Sequence, residues 1–503
     1  MKNRSYYAKL NIYITLLCQV LTMVCGIIVP RILITSFGSE LYGATSSITQ
    51  FLAYITLLEG GICGVARAAL YKPLANNDFD RVNKILTEIK KFFRQLGAVF
   101  FIYVIVLACS FKSISNLSSY DWISTFLLVV VISISTFAQY FIGISYSVLI
   151  QAAQRTYITN IINIIGTIIN TILVIVLAKF GCSLIIVKFA SGCIFAIRPI
   201  ALWLYARKLF PINDVKSEEV ILKDKWIALG QHIAFFLHSH TDIAVLTILA
   251  NLKLVAVYSV YNMVISAIQN LMSSFSTGME SLFGDMYAKE ENELLKQAFS
   301  TYETMLSIVS IILFSTTATM IVPFVRIYTM GVEDTNYIYP IFGLLLTIAA
   351  CLFALRTPYH SLIIAAGHFR QTNVAAYGEA IINIILSVTL VYKFGLIGVA
   401  IGTVAATFFR FVFYVIYLSK YIIQRSVICF IKRLCVNAIL FTGIVVGGSS
   451  ALRSYTITHY LAWGFSSLGV FIAACLLVIG TNFLLYKNDC KMIIRRFIKK
   501  QCT

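Results

Sequence analysis

The sequence predicts an all-α polytopic membrane protein with about fourteen transmembrane helices, and three observations predict it. Of the 503 residues, 59% are hydrophobic and only 12% are charged, whereas soluble domains are nearer half apolar and a quarter charged. Apolar stretches of about 18 residues or longer recur along the whole chain, and such stretches are typical of helices that cross a bilayer. Most Lys and Arg residues lie in short segments between these stretches, as membrane topology requires.

The predicted spans follow one another in chain order. They are 11–34, 42–65, 96–113, 122–146, 157–178, 182–205, 226–249, 253–276, 302–323, 341–364, 373–392, 396–418, 435–452 and 460–485. An even number of spans places both termini on one side of the membrane. If that side is the cytoplasm, the inside segments hold 29 Lys and Arg residues and the outside segments hold seven. Because cytoplasmic loops carry an excess of these residues, we expect both termini to be cytoplasmic.

The chain also contains an internal repeat. Three pairs of segments match in the same order at offsets of 216, 213 and 214: 29–43 with 245–259, 146–154 with 359–367, and 176–181 with 390–395. The offset covers six predicted spans, so the two copies enter the membrane in the same direction. The repeat predicts two pseudo-symmetric six-helix lobes (1–205 and 226–418), a cytoplasmic linker (206–225), and a C-terminal helix pair with a basic cytoplasmic tail (419–503).

One segment before the third span has the pattern of a surface helix. Residues 74–93 place Val82, Ile85, Ile89 and Phe93 at helical spacing, with lysines between them. The pattern predicts an amphipathic helix that lies on the inner leaflet of the membrane, with a solvated connecting helix as the alternative.

Several motifs resemble a known family. They are "PRILITSFGSELYG", "TLLEGGICGVARAAL", "TDIAVLTILANLKLVAVYSVYNMV", "PFVRIYTMGVEDTNYIYP" and "LIIAAGHFRQTNVAAYGEAIINIILSVTLVYKFGLIGVAIGT". Together they resemble the polysaccharide (O-antigen, Wzx-type) flippases of the multidrug/oligosaccharidyl-lipid/polysaccharide (MOP) superfamily. The resemblance implies two lobes around a cationic cavity and alternating access. It also implies a bacterial inner-membrane location and an undecaprenyl-pyrophosphate-linked oligosaccharide as cargo. Membrane lipids, a polysaccharide polymerase and other assembly proteins are the further partners that it implies.

Polar side chains inside the spans are the candidate site residues, because a central charge costs roughly 2.5–3.5 kcal/mol on insertion scales. The candidate substrate-binding cations are Arg356, Arg198, Arg31, Arg410 and Lys188. The candidate coupling or cavity-lining groups are Asp242, His238, Gln231, Glu379, Asn383 and Glu59. Any of the acids could instead balance an arginine.

Gln231, His238 and Asp242 share one helix face because they are spaced by seven and four residues. This spacing predicts a polar stripe along a cavity, in which Asp242 couples transport to a proton or another cation and His238 modulates it. The alternatives are a buried pair between Asp242 and His238, or between Asp242 and an arginine. Glu379 and Asn383 also share one face, which predicts either a cation site or a polar core.

Among the cations, Arg356 precedes Pro358 within span ten and suits bidentate binding of pyrophosphate oxygens; ion pairing with Asp242 or Glu379 is the alternative. Arg198 lies nine residues before Arg207, roughly 13 Å along a helix, too far for easy snorkelling to the interface, so we expect it to face a cavity.

The remaining candidates lie nearer to span ends. Lys188 and Arg410 are candidates for substrate contact or for snorkelling to the interface. Arg31 lines the exit or lies among the headgroups. Glu59, before a pair of glycines, is a gating residue or a helix-end charge.

Catalytic, metal and cofactor sites are not expected. The sequence has no GxxxxGKS or GxxxxGKT loop and no HExxH motif, and its twelve cysteines form no CxxC pair. The function that the resemblance implies is flipping of an O-antigen or capsule repeat unit, and we expect neither enzymatic activity nor nucleic acid as a partner. The alternatives are a flippase for the peptidoglycan lipid precursor, a multidrug/cation antiporter, and a membrane-embedded glycosyl or acyl transferase.

Overall fold

The computed structural model describes residues 2–59, 62–213, 229–273, 277–453, 455, 457–487 and 489–492. Over these ranges the secondary structure is helical and contains no strand. The α-helices are α1 (Lys2–Phe37), α2 (Ser39–Ala53), α3 (Ile62–Ala75), α4 (Phe79–Ser115), α5 (Trp122–Ala138), α6 (Ile144–Ala152), α7 (Thr156–Lys179), α8 (Leu184–Leu209), α9 (Leu229–Leu249), α10 (Leu252–Ser273), α11 (Thr277–Ala288), α12 (Asn292–Tyr328), α13 (Pro340–Ala365), α14 (Phe369–Phe394), α15 (Leu396–Tyr421), α16 (Val427–Leu452) and α17 (Tyr460–Leu485). A 3₁₀ turn (Tyr54–Glu59) follows α2, and a π-helical turn (Gln139–Gly143) joins α5 to α6.

The membrane-spanning helices confirm the predicted fold class. Within the described residues, twelve helices are long and apolar enough to cross a membrane, and the bent pair formed by α2 with its 3₁₀ turn and α3 makes thirteen. Every predicted span overlaps one of the helices above. The predicted span 226–249 overlaps α9, whose described part contributes the shorter apolar stretch His240–Leu249. The chain is therefore a multi-pass helical membrane protein.

The predicted surface helix proves to be the first part of the long helix α4. Asp78 caps this helix by accepting a hydrogen bond from the backbone N–H of Arg81 at 3.0 Å. Its apolar face is buried against the protein, with exposures of 1% or less at Val82, Ile85, Ile89 and Phe93. The prediction that this face lies on the inner leaflet is therefore wrong. Apolar residues at helical spacing show that one face of the helix must be buried. They do not show whether protein or membrane buries that face.

The chain divides into two compact units, described one at a time. Unit 1 comprises Met1–Phe236 and Leu246–Ala256, and unit 2 comprises Leu237–Val245 and Val257–Thr503. In unit 1, α1 packs on α7, and α8 packs on both α5 and α7. The predicted linker 206–225 begins inside α8, and its residues after 213 lie outside the described residues.

Unit 2 is organised around α12 and α15. Helix α15 packs on α13 and α14, and α12 packs on α13, α16 and α17. The indole Nε1–H of Trp463 in α17 donates to the Met320 carbonyl of α12 at 3.1 Å. The C-terminal helix pair therefore packs on this unit through α12.

Within unit 1, α2 approaches the start of α10 very closely. A Cβ on Gly43 would lie 1.9 Å from the carbonyl oxygen of Leu252. One turn further along α2, the hydroxyls of Ser47 and Thr247 are 2.7 Å apart. The absence of a side chain at Gly43 is what allows this backbone approach.

Replacing Gly43 should therefore destabilise the protein. We expect Gly43→Ala to lower the free energy of unfolding by about 1–3 kcal/mol or more, because the clash is with backbone and cannot be relieved by a side-chain rotation. Gly26→Ala is the matched control, since a Cβ there meets nothing within 4 Å. Thermal unfolding of the purified protein in detergent measures both variants, and equal melting temperatures would contradict the packing described here.

Candidate functional site

Unit 1 contains a cavity of about 370 Å³ between α2, the 3₁₀ turn, α5 and α8. Its walls carry the hydroxyl groups of Thr49, Thr56, Ser135, Thr136 and Ser191. Lys188 of α8 also lines it, and among the described residues the Lys188 ammonium makes no hydrogen bond or ion pair. An ammonium offers three donors and a full positive charge. The cavity therefore has the chemistry to bind an anionic or hydroxyl-rich group.

Arg198 lies beside this cavity on the same helix. Its Nη2 donates to the Asn163 carbonyl at 3.2 Å and to Thr167 Oγ1 at 2.8 Å, while its Nε is buried without a partner. The guanidinium lies over the ring of Phe195, 4.2 Å from the centroid, and Phe195 lines the cavity. In the part of the chain that the structure describes, no carboxylate pairs with Arg198.

Glu59 is held by a residue that sequence reasoning did not identify. Tyr140 donates its hydroxyl hydrogen to Glu59 Oε1 at 2.5 Å. Tyr140 belongs to the π-helical turn Gln139–Gly143, and turns of this kind are frequent at functional sites. A Cβ on Gly143 would meet Pro199 at 3.1 Å, so the turn also packs on α8 beside Arg198. Only the hydrogen-bond pattern reveals the π turn, and the sequence carries no signal for it.

In unit 2, two predicted cations share one carboxylate. Arg356 Nη1 lies 2.6 Å from Glu379 Oε1, and Arg410 Nη1 lies 2.5 Å from Glu379 Oε2. All three side chains are buried, and Arg410 Nε also donates to the Tyr414 hydroxyl at 2.9 Å. The pairing of Arg356 with Glu379 was one of the alternatives left open by the sequence. These side chains form a buried ionic network that links α13, α14 and α15.

Asp242 and Asn383, also predicted site residues, lie together in unit 2. The buried Asp242 carboxylate accepts hydrogen bonds from the Tyr258 hydroxyl at 2.9 Å, the Thr403 hydroxyl at 2.9 Å and Asn383 Nδ2 at 3.4 Å. Carboxylate, hydroxyl and amide oxygens are hard ligands of the kind that bind protons and small cations. The arrangement therefore places two hydroxyl oxygens, from α10 and α15, and one amide N–H group, from α14, around the buried carboxylate of α9.

The other candidates are less informative. The side chains of Gln231 and His238 lie outside the described residues. Arg31 lies half-buried in α1, directly after Pro30. Groups of three or more His, Cys, Asp or Glu that could hold a metal ion are absent from the described residues.

The structure contains a second ionic cluster that was not predicted from the sequence. Glu303 of α12 accepts hydrogen bonds from Arg425 at 2.8 and 3.1 Å, pairs with Arg433 at 2.7 Å and accepts another from the Tyr359 hydroxyl. Arg433 also contacts Asp489, which follows α17. Burial lowers the pKa of Arg425, but the hydrogen bond and charge of Glu303 outweigh it and hold the pKa above its usual range. Arg425 and Arg433 lie between the predicted spans 396–418 and 435–452, where the sequence does not distinguish them from other loop charges.

No protein-family model matches the sequence, and no curated protein matches it. Solved structures do match. The lipid II flippase MurJ in an inward closed conformation superposes with a TM-score of 0.70 at 14% identity, covering 95% of this chain and 100% of that chain. A multidrug resistance MATE transporter of the MOP superfamily, facing inward, gives 0.66 at 13% identity, covering 79% and 95%. The MATE multidrug transporter DinF-BH, solved as a complex, gives 0.60 at 15% identity, covering 82% and 95%.

These comparisons define the class of fold. At such low identity a likeness concerns the fold alone, and one fold serves many functions. The protein has the fold of transporters and flippases of the MOP superfamily.

The buried ionic network of unit 2 leads to a prediction about the stability of the protein. We expect Glu379→Gln to lower the free energy of unfolding by about 3–5 kcal/mol, because it leaves two buried guanidinium groups without their shared carboxylate. Glu293→Gln is the control: its side chain is 83% exposed and pairs with Lys296 at 3.0 Å, so its loss should cost less than about 1 kcal/mol. Thermal unfolding in detergent distinguishes the two, and similar losses of stability would argue against the network.

Proposed function

We propose that this protein is a flippase for an undecaprenyl-pyrophosphate-linked oligosaccharide, an O-antigen or capsule repeat unit. It moves the lipid-linked sugar from the cytoplasmic to the outer leaflet of a bacterial inner membrane by alternating access. The family motifs in the sequence and the MOP fold support this proposal. It involves no catalytic residue and no cofactor. The chain has both termini in the cytoplasm, and it works beside a polysaccharide polymerase and other assembly proteins.

The observation that carries the proposal is the set of cations in unit 1. Lys188 lines a cavity that also carries hydroxyl groups, and Arg198 of the same helix stacks on Phe195, which lines that cavity. Neither cation pairs with a carboxylate among the described residues. Because guanidinium and ammonium groups bind phosphate, and hydroxyl groups bind sugars, such a wall suits a sugar pyrophosphate. A site for a cationic drug would instead place acids in this wall.

Two other predicted residues of unit 1 take part in the passage of the cargo. Arg31 lines the exit. Glu59 takes part in gating through its contact with Tyr140, whose π-helical turn packs on the helix that carries Arg198.

The predicted residues of unit 2 have two roles. Arg356, Arg410 and Glu379 keep α13, α14 and α15 together during transport. Asp242 couples transport to a proton or another cation, with Asn383 beside it and with the predicted stripe residues His238 and Gln231 on the same helix. The two hydroxyl oxygens beside the buried Asp242 carboxylate support this coupling role.

A second candidate is a flippase for the peptidoglycan lipid precursor. One observation favours it: the MurJ superposition covers 95% of this chain, whereas the two MATE superpositions cover 79% and 82%. The two candidates share the lipid pyrophosphate and differ in the sugar. A multidrug/cation antiporter is the third candidate, and the carboxylate of Asp242 is the group that it would use.

The first experiment is deletion of the gene. The expected result is loss of surface polysaccharide, with the intact lipid-linked oligosaccharide accumulating in the cytoplasmic leaflet. Accumulation of the peptidoglycan precursor would support the second candidate instead. Normal surface polymer and a normal precursor pool, in a strain without a redundant flippase, would refute both flippase proposals.

Charge removal in unit 1 tests the site. We expect Lys188→Gln and Arg198→Gln each to lower export roughly tenfold to a hundredfold, because a hydrogen bond to a charged group contributes about 1.5–3 kcal/mol. The control is Lys208→Gln, which removes an exposed cation from the same helix. Export is measured as surface polymer per amount of flippase in the membrane. Export at the wild-type level in both Lys188→Gln and Arg198→Gln would refute this site assignment.

A further inference from the structure

Helices α4 and α12 correspond to each other along their whole length. Each contains 37 residues, and α12 begins 213 residues after α4, which is also the offset between the repeat segments 146–154 and 359–367. Helix α4 packs on α3 and α5, and α12 packs on the corresponding helices α11 and α13. Every position of α4 therefore has a counterpart in α12, 213 residues later.

One face of α12 is covered by the C-terminal helix pair. Helices α16 and α17 both pack on α12. At one end of this face, the Thr304 hydroxyl donates to the Asp489 carboxylate at 3.0 Å, and Asn437 Nδ2 donates to the Ser307 hydroxyl at 3.5 Å. Small residues are typical of helix interfaces in membranes, because they let two helices approach closely. The small polar residues of this buried face are Thr304, Ser307, Ser315 and Thr319.

The corresponding face of α4 is exposed and has a different composition. Ile102 stands at the position of Ser315 and is 64% exposed, whereas Ser315 is 0% exposed. Val106 stands at the position of Thr319, and the exposed fractions are 59% and 7%. From Leu96 to Val106 the helix rises about 15 Å, which is about half the thickness of the hydrocarbon core. Large apolar side chains over this depth favour contact with the acyl chains of one leaflet over contact with another helix.

Two cations lie at the headgroup end of this face. Lys91 stands at the position of Thr304. Arg94 stands at the position of Ser307, so both cations replace residues that bond to the C-terminal helix pair in unit 2. Both are exposed and come directly before the predicted span 96–113, and among the described residues neither makes a hydrogen bond or an ion pair. A carboxylate occupies this end of the face in unit 2, and its counterpart in unit 1 is suited to another anion.

We propose that this face of α4, from Lys91 and Arg94 to Ile102 and Val106, binds an anionic phospholipid. The phosphate of the lipid contacts the two cations, and its acyl chains lie against the apolar residues. The lipid thus covers α4 where α16 and α17 cover α12. It belongs to the leaflet that the first part of α4 enters, which is the inner leaflet in the topology proposed above. The inference goes beyond the proposed function, since it holds for any cargo.

Native mass spectrometry of the full-length protein in detergent tests this proposal. The probes are phosphatidylglycerol and phosphatidylcholine with the same acyl chains. We expect phosphatidylglycerol to bind more tightly, and the double variant Lys91→Gln/Arg94→Gln to weaken its binding at least about tenfold, because each cation near an anionic headgroup contributes about fivefold in affinity. Binding of phosphatidylcholine should change less than about threefold, because the variant leaves the apolar part of the face intact.

The matched control removes two exposed cations from other helices. Lys208→Gln/Lys432→Gln takes the same charge from α8 and α16, and it should leave phosphatidylglycerol binding within about threefold of the wild type. Phosphatidylcholine binding as tight as that of phosphatidylglycerol would overturn the proposal. So would equal losses of phosphatidylglycerol binding in the two double variants, or no loss in Lys91→Gln/Arg94→Gln.

Photo-crosslinking in cells identifies what covers the face. Benzoylphenylalanine replaces Ile102, and the same residue at Ile439 of α16, which is 71% exposed, reports the bulk lipid. We expect phospholipid adducts at both positions, with a higher anionic fraction at position 102 that disappears in Lys91→Gln/Arg94→Gln. Equal anionic fractions at the two positions would overturn the proposal. A protein adduct at position 102 would make this face a protein interface, and an adduct with a lipid-linked sugar would make it a cargo site; either result would also overturn it.

Discussion

The hydrocarbon core of a membrane supplies no hydrogen bonds and little screening of charge, and the rest of the structure depends on this constraint. Backbone groups in such an environment must pair within the chain, which explains why the described residues form helices and no strand. Charged side chains meet the same requirement with fewer options, since each must find a partner, a polar cavity or a ligand. The positions of the charges therefore carry the functional information in an otherwise apolar chain.

The two units meet this requirement in different ways. In unit 2, Glu379 lies between Arg356 and Arg410, and these buried, bonded groups hold three helices in fixed relation. In unit 1, Lys188 lines a cavity whose walls carry hydroxyl groups, and Arg198 donates to the Thr167 hydroxyl and the Asn163 carbonyl. Unit 2 therefore uses its buried arginines for packing, whereas our proposal assigns cargo binding to the cations of unit 1.

Much of the fold could be predicted from the sequence, because apolar stretches that are long enough to cross a bilayer locate the spans. Residues that share one helix face could also be predicted, because their spacing in the sequence gives their distance along the helix. The pairings could not be predicted in the same way, because they depend on which helices cross. Glu379 was a possible partner for Arg356, but nothing in the sequence indicated that Arg410 would share it. Tyr140 was missed because a π turn depends on hydrogen bonds five residues apart, and Glu303 because its arginines come from a different part of the chain.

The Glu303 cluster changes how the C-terminal helix pair should be understood. The pair looks like an addition to a complete repeat, and an addition is often separable. Here, however, Arg425 and Arg433 both come from the residues after α15, and Asp489 accepts hydrogen bonds from two hydroxyl groups of α12. A chain ending at Tyr421 would leave Glu303, 3% exposed, without either guanidinium. The appended helices have thus become part of what keeps α12 folded, and shortening the protein to its repeat would require a new residue at position 303.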